Sequence, residues 1–504
     1  MLRILPFLIL LVTISSCSVF KPIAQPRSEF RGFWVATVVN IDWPKNGNDA
    51  AEKQKKDFLE ILDFYQELNF NAAIVQIRTA GDAFYDSEYA PWSRFLTGKE
   101  GEVSTSKSTL LKWMIHETHQ RGMEFHAWLN PYRATFDLNT AKLSPTHDFN
   151  LHQEWMVKYG KKYYYDPGLP EVQQHMIAII DEITANYDID AIHFDDYFYP
   201  YTIEGEVFQD SISFYNCALP KQTLADWRRS NIDSLVKKSH EIIKKRKPWV
   251  QFGVSPFGVW KNKSTDPKGS DTKAGQTTYE NLFADPLLWM KKGWLDYLIP
   301  QVYWSMELPV ASHKKIVDWW SNNTQRSKLY IGNGPYKIRN NSDKAWDNKK
   351  ELPNQIGYAR EKNAVFGNAF FSAKSLMNNN ADVTRYLKRK YYKSKALPPV
   401  AKVTSNKRPD FYEPKSVSKS KNAIVIKFND LDAVRYAMVY PSTKNEKEEY
   451  PLKKLIAKLP VRSNKEVILP LEVVKKRRYI AVTFIDFYGR ESKPIIVHLS
   501  KLSQ

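Results

Sequence analysis

Cysteine is nearly absent, with only Cys17 and Cys217 in 504 residues. A disulfide-stapled scaffold is therefore excluded, and a chain of this length can bury a large core without one. The residues around Cys217, from Phe214 to Pro220, place no histidine beside it, so nothing marks it as a nucleophile. A bilayer-spanning run is missing too: the apolar stretch 4–14 is too short. No nucleic-acid-binding motif and no short internal repeat can be found. Acidic residues are in deficit, 55 against 74 Lys plus Arg, for a formal charge of +19. The deficit is concentrated at the end, where residues 395–504 hold 23 basic and 11 acidic side chains, a net of +12. Such a tail can hold nucleic acid, anionic lipid or an anionic wall polymer, or be a solvated surface with no dedicated ligand.

What the N-terminus does contain is an export signal. Arg3 precedes the apolar stretch, and small residues lead to Cys17, the order of a secretory signal peptide. Ile14-Ser15-Ser16-Cys17 resembles a bacterial lipobox, in which cleavage before the cysteine leaves it as a lipidated N-terminus. Ser18 follows rather than Asp, so the expectation is an outer-membrane anchor facing the periplasm, with residues 1–17 as signal and lipobox. Lipidation of Cys17 would leave Cys217 without an intramolecular partner, and export argues against a nucleic-acid partner. A monomer is expected.

Between residues 28 and 392, short β-rich apolar runs alternate with amphipathic stretches of helical length. The strand candidates are 32–39, 72–78, 124–130, 191–196, 251–257, 297–304, 328–333 and 367–372, and each is followed by a helical pattern such as 52–68, 171–187 or 224–245. Eight β-then-α units predict an α/β fold, a (β/α)8 barrel with enlarged loops. Lys, Ser and Pro dominate a linker at 393–407, marked by Pro398-Pro399. Residues 408–504 then alternate apolar and polar positions in several short runs, which predicts a small all-β sandwich of fibronectin type III kind, suited to binding or spacing.

In such a barrel the C-terminal strand ends converge on one mouth. The most informative tip is the fourth, Ile192-His193-Phe194-Asp195-Asp196-Tyr197-Phe198-Tyr199-Pro200, two adjacent carboxylates followed by aromatic rings. Rings, amides and carboxylates recur at the other tips, the combination a sugar cleft requires. The residues expected to contact substrate are Trp34, Gln76, Arg78, Asp82, Trp128, Asn130, Arg133, His193, Tyr197, Ser255, Phe257, Tyr303, Trp304, Asn333 and Tyr336.

Several of these tips also carry a family likeness. Arg31-Gly32-Phe33-Trp34-Val35, Gln76-Ile77-Arg78 with Gly81-Asp82-Ala83, Ala127-Trp128-Leu129-Asn130-Pro131-Tyr132-Arg133, the fourth tip, Gly253-Val254-Ser255-Pro256-Phe257-Gly258 and Pro300-Gln301-Val302-Tyr303-Trp304 together resemble the glycosyl-hydrolase-like family 10 proteins. The likeness spans residues 28–390. It implies a bacterial lipoprotein or secreted protein with a (β/α)8 barrel, acting on denuded peptidoglycan, that is, glycan strands already stripped of stem peptides.

Glycoside hydrolysis calls for a proton donor and a second carboxylate acting as nucleophile or base. Asp195 ranks first, because a period of two sets it on one face with His193 and Tyr197; Asp196 follows, pointing the other way in a regular strand. The seventh tip ends in Asn333, which leaves Glu307 behind the sixth strand, or Asp82 behind the second, as the partner acid. Glu307 is preferred. A third route is substrate assistance, in which a sugar N-acetyl group replaces the protein nucleophile. Two other readings stay open. One is a catalytically inert glycan-binding lipoprotein. The other is a polysaccharide deacetylase, whose Asp pair Phe194-Asp195-Asp196 resembles. That enzyme needs two metal-binding histidines one helical turn apart, whereas His116 and His119 are three apart, His147 and His152 are five apart, and neither pair follows the fourth strand. No metal and no cofactor are expected.

Overall fold

The computed structural model describes residues 23–378, 380–401, 412–431, 433–443, 449–461, 465–474 and 477–499. The signal sequence, Cys17 and the latter half of the expected linker lie outside the described residues. Eight parallel strands close a barrel in sequential order. They are β1 (Phe30–Val35), β2 (Ala72–Arg78), β3 (Glu124–Leu129), β4 (Ala191–Phe194), β5 (Gln251–Val254), β6 (Tyr297–Leu298), β7 (Lys328–Asn333) and β8 (Val365–Phe370). Alternate side chains split the core in two. Phe33, Val35, Val75, Ile192 and Phe252 face the surrounding helices. Phe30, Trp34, Ile74, Trp128 and Tyr297 fill the barrel interior, where the Phe30 and Tyr330 rings stack 4.1 Å apart.

Strand β6 is shorter than the apolar run 297–304 suggests. Pro300 cannot donate to the ladder, and from there pairing survives only as isolated bridges from Gln301 to Phe257 and to Gly332. The helix that precedes β6 begins at Pro286, with the Asp285 side chain accepting from the Leu288 N–H as its cap; proline is well suited to that first position. One element gave no alternating signal. Between β3 and the helix Pro170–Asn186, the strands Met156–Tyr159 and Lys162–Tyr165 form an antiparallel hairpin. Its turn places Gly160 at a φ of +56°, a conformation that glycine adopts without strain.

Beyond the barrel, seven strands form a three-stranded and a four-stranded antiparallel sheet. Ile424, Ile426, Val439, Leu469, Val482 and Phe484 pack between them. Strand Val434–Ser442 is buried on both faces, since Tyr436, Met438 and Tyr440 form a second cluster on the far side. That far side packs on the barrel. The Tyr436 hydroxyl donates to the Met123 carbonyl at 3.2 Å, Lys458 donates to the Gly122 carbonyl at 2.8 Å, and Arg435 reaches Asp188 at 2.7 Å and Asp190 at 3.1 Å. Gly122, Met123, Asp188 and Asp190 immediately precede β3 and β4, so the sheets sit at the strands' N-terminal ends, opposite the mouth.

Candidate active site

The mouth opens into a cavity of about 540 Å³, within the range of roughly 300–1,000 Å³ usual for small-ligand sites. Asp195 and Asp196 both line it. Regular alternation would turn one of them away, but β4 ends at Phe194 and the chain curls immediately: the Tyr197 N–H donates to Asp195 Oδ1 at 3.1 Å, and the Phe198 N–H donates to the Asp196 carbonyl at 3.0 Å. Both carboxylates thus reach one space, and both are almost completely buried.

A one-way chain of hydrogen bonds positions Asp195. The N–H groups of Thr37 and Val38 donate to Gln76 Oε1 at 3.1 and 3.0 Å; Gln76 Nε2 donates to Asn130 Oδ1 at 2.6 Å; Asn130 Nδ2 donates to Asp195 Oδ2 at 2.6 Å. Because the backbone end can only donate, each amide is locked in one orientation and the last link must be an acceptor. The Tyr201 hydroxyl donates to Asp196 Oδ2, and Gln301 also hydrogen-bonds that carboxylate. Burial, then repulsion from Asp196, pushes Asp195 up to about 7, against the pull of Arg133. Burial pushes Asp196 up to about 6 despite the Tyr201 bond. The pair therefore titrates in two steps near neutrality, the range a general acid needs.

Aromatic walls complete the cleft: Trp34, Trp128, Tyr197, Phe257, Tyr303, Trp304 and Tyr336 all line it, together with Gln76, Asn130, Arg133 and Ser255. Five expected site residues are placed elsewhere. Glu307 is 72% exposed at its side chain, ion-paired with Lys314 on the outer surface, and does not line the cavity. Asp82 is buried beside the chain it stiffens, its Oδ1 accepting from Thr79 Oγ1 at 2.8 Å and the Ala80 N–H at 3.0 Å. Arg78 is fully buried, because the β2–β3 register slips between Gln76 and Arg78 and takes it off the Gln76 face, next to Tyr165. Asn333 donates to Gln355 Oε1 at 2.9 Å, tying β7 to helix Glu351–Arg360. His193 does point into the barrel, but one layer beneath the cavity. The Trp34 indole N–H donates to its Nε2 at 3.3 Å, the Ser255 hydroxyl lies 3.0 Å from the same nitrogen, and burial holds the ring well below its usual pKa, hence neutral.

One histidine of each pair weighed as metal ligands is committed elsewhere: His119 lies 2.8 Å from Asp190 beneath the barrel, and His147 caps the short helix Asp148–Leu151. Among the described residues, no three His, Cys, Asp or Glu side chains gather as a metal site.

The family model described as Glycosyl hydrolase-like 10 matches residues 29–348. The chain belongs to the glycosyl hydrolase-like 10 family. With the glycosyl hydrolase YngK of Bacillus subtilis it shares 40% identity over 435 residues, 85% of this chain and 83% of the relative. With the glycosyl hydrolase DigH of Escherichia coli K12 it shares 37% over 332 residues, 62% of this chain and 75% of the relative. The glycoside hydrolase domain of PgaB (BpsB) from Bordetella bronchiseptica superposes with a TM-score of 0.47 at 12% identity, over 72% of this chain and 98% of that one.

This glycosyl hydrolase-like 10 cavity also holds residues that were not among the expected substrate contacts: Tyr201, Gln301, Phe371, Lys162, Lys337, Phe136 and the segment around Val38 and Ile41. Gln301 and Phe371 stand at strand tips, and the same reasoning that chose Tyr303 applies to them. Tyr201 lies just past the aromatic run that ends at Pro200. Lys162 had no such signal, because only the hairpin brings it to the mouth.

Proposed function

We propose that this protein is a cell-envelope glycoside hydrolase that cleaves glycan strands of N-acetylated sugars, with peptide-free peptidoglycan as its principal substrate. The observation that carries this reading is the Asp195–Asp196 pair. They are the only acids among the residues lining the cavity, and both are raised toward neutrality by burial. With Glu307 outside the cavity, no carboxylate among the described residues that line it stands apart from the pair to serve as nucleophile. Substrate assistance fits this arrangement. Asp195, oriented by the Asn130 amide, protonates the glycosidic oxygen as the C–O bond breaks. The acetamido carbonyl oxygen of the same sugar closes on the anomeric carbon, while Asp196, held by Tyr201, accepts the acetamido N–H. Water then opens the oxazolinium ring and returns its proton to Asp195, so configuration is retained.

The printed names of YngK and DigH, both glycosyl hydrolases, support the reaction class. The test is the anomer first released from peptide-free strands, followed by NMR. Retention supports the scheme, whereas inversion would require a water-activating base and defeat it.

The lipobox-like N-terminus supports a lipid anchor at Cys17, in the outer membrane and facing the periplasm. No helix of the described residues is long and apolar enough to cross a membrane, so Cys17→Ala should release the protein from the membrane fraction. Persistence there through carbonate washing would refute the anchor. The basic sheets, at the far end of the barrel from the cavity, serve retention on an anionic wall rather than bond cleavage.

A further inference from the structure

The cavity wall carries an excess of positive charge. Arg133, Lys162 and Lys337 line it against two carboxyl groups, Asp195 and Asp196, which burial already inclines toward protonation. None of the three cations forms an ion pair with a carboxylate among the described residues. Arg133 is only 5% exposed. It lies 4.5 Å over the Tyr197 ring and donates one long bond, 3.4 Å, to the Thr79 carbonyl, while its Nε has no partner among the described residues.

The fold brings Lys162 to the same corner deliberately. Arg133 bridges to Tyr164, and the Ala134 N–H donates to the Tyr163 carbonyl at 3.1 Å, so the hairpin is stitched to the end of β3. Burial, then the charge of Arg133, pushes the Lys162 ammonium below its usual value. Asp195 and Asp196 attract Arg133, but no carboxylate pairs with Lys162 among the described residues, and a partly buried ammonium beside a guanidinium is unfavourable unless a further anion completes the set. Lys337 follows β7, across the eight-stranded ring from β3.

We infer that the cavity recognises a carboxylate carried by the glycan itself, and that Arg133 and Lys162 form the corner that binds it. This deepens the hydrolase reading and rests on it. Among N-acetylated sugars, an ether-linked lactyl group offers such a carboxylate at the ring substituent, and amide linkage to a peptide would erase its charge. Selection of peptide-free strands then follows from charge as well as from size. A guanidinium and an ammonium against one carboxylate make charge-assisted bonds, and their loss on amidation should weaken binding about 10- to 100-fold.

The test uses the full chain carrying Asp195→Asn, so that strands bind without being cut, with affinity measured by calorimetry. The probes are N-acetylated strands with free lactyl carboxylates, the same strands converted to methylamides, and hexuronic acid oligosaccharides of equal length. The expected result is a free-acid preference of about 10- to 100-fold that shrinks with added salt and falls by about tenfold in Lys162→Gln. Lys162 is partly buried at the cavity rim and makes no ion pair among the described residues, so Gln at that position removes a charge and no protein partner; thermal denaturation checks that the variant is folded, and Arg133→Gln provides a second reading. Equal affinity for acid and methylamide strands would overturn the proposal, as would a preference untouched by Lys162→Gln. Tighter binding of hexuronates than of lactyl strands would support the carboxylate corner and overturn the lactyl source. Turnover by the unsubstituted protein is followed in parallel. Equal cutting of acid and methylamide strands sinks this proposal but not hydrolysis, whereas acid-selective binding with no turnover of any strand sinks hydrolysis.

Discussion

Replacing Asp195 by Asn should abolish activity and, at alkaline pH, stabilise the protein. The wild-type carboxyl is fully enclosed and raised from 3.8 to about 7, first by burial and then by Asp196. At about 1.4 kcal/mol per decade, the ionised form is disfavoured by on the order of 4 kcal/mol, part of which is the repulsion shared with Asp196. The sign is that of a group whose folded-state value is raised: its contribution to stability is complete below 3.8 and is lost as pH climbs through 7. Asparagine never ionises, so it escapes that loss. It does, however, face the Asn130 amide, whose direction is locked by Gln76 and by the Thr37 and Val38 N–H groups. Only the Tyr197 N–H keeps its acceptor, and the lost bond costs about 1–2 kcal/mol. At pH 5 the wild type has already lost about 1.6 kcal/mol of that contribution, which offsets the lost bond, so the variant should be about as stable as wild type at pH 5 and about 2–3 kcal/mol more stable at pH 8. Turnover of peptide-free strands should fall by about two to four decades. Chemical denaturation at the two pH values, with a strand-release assay alongside, measures both. A variant equally destabilised at pH 5 and pH 8, or one with wild-type turnover, would refute the reasoning.

Glu307→Gln should leave turnover unchanged, because Glu307 is paired with Lys314 on the outside; a loss beyond tenfold would return it to the chemistry. Tyr201→Phe removes a donor that holds Asp196 down, so the acidic limb of the pH–rate profile should move to higher pH, and an unmoved limb would show that Asp196 need not ionise. Arg435→Met leaves the buried Asp190 with His119 and the Phe125 N–H as its hydrogen-bond partners among the described residues and should cost about 3–5 kcal/mol of stability without altering KM. A stability within 1 kcal/mol of wild type, by denaturant titration, would mean that the barrel and the sheets are coupled more weakly than their contacts indicate.

The barrel was legible in the chain because its signal is local and repeated. Each strand is a short apolar run of five or so residues and each helix an amphipathic stretch, so a mistake in one unit does not disturb the count of eight. The tips were legible for a related reason: a barrel sends every strand end to one mouth, so chemistry at the end of an apolar run is placed by topology alone. This is why Trp34, Gln76, Trp128, Asn130, Asp195, Ser255 and Tyr303 meet. The failures share a cause as well. Asp82 and Glu307 lie a few residues past a strand end, where loop conformation rather than strand period decides direction, and each is taken up by a local partner. Arg78 was lost to a register slip of one residue, and His193 to depth, since inward residues two apart occupy different layers of the barrel.

By itself, then, the order of residues determined the alternating β and α units, the sheets that follow them and the fourth tip with its paired carboxylates, all of which depend on neighbours along the chain. Only the tertiary structure decided that Asp195 and Asp196 share one space, that Lys162 stands beside Arg133 and that the basic sheets cover the far end of the barrel. Those facts depend on how β4 ends, on a hairpin stitched across a loop and on packing between residues more than 300 positions apart, and no local pattern encodes any of them.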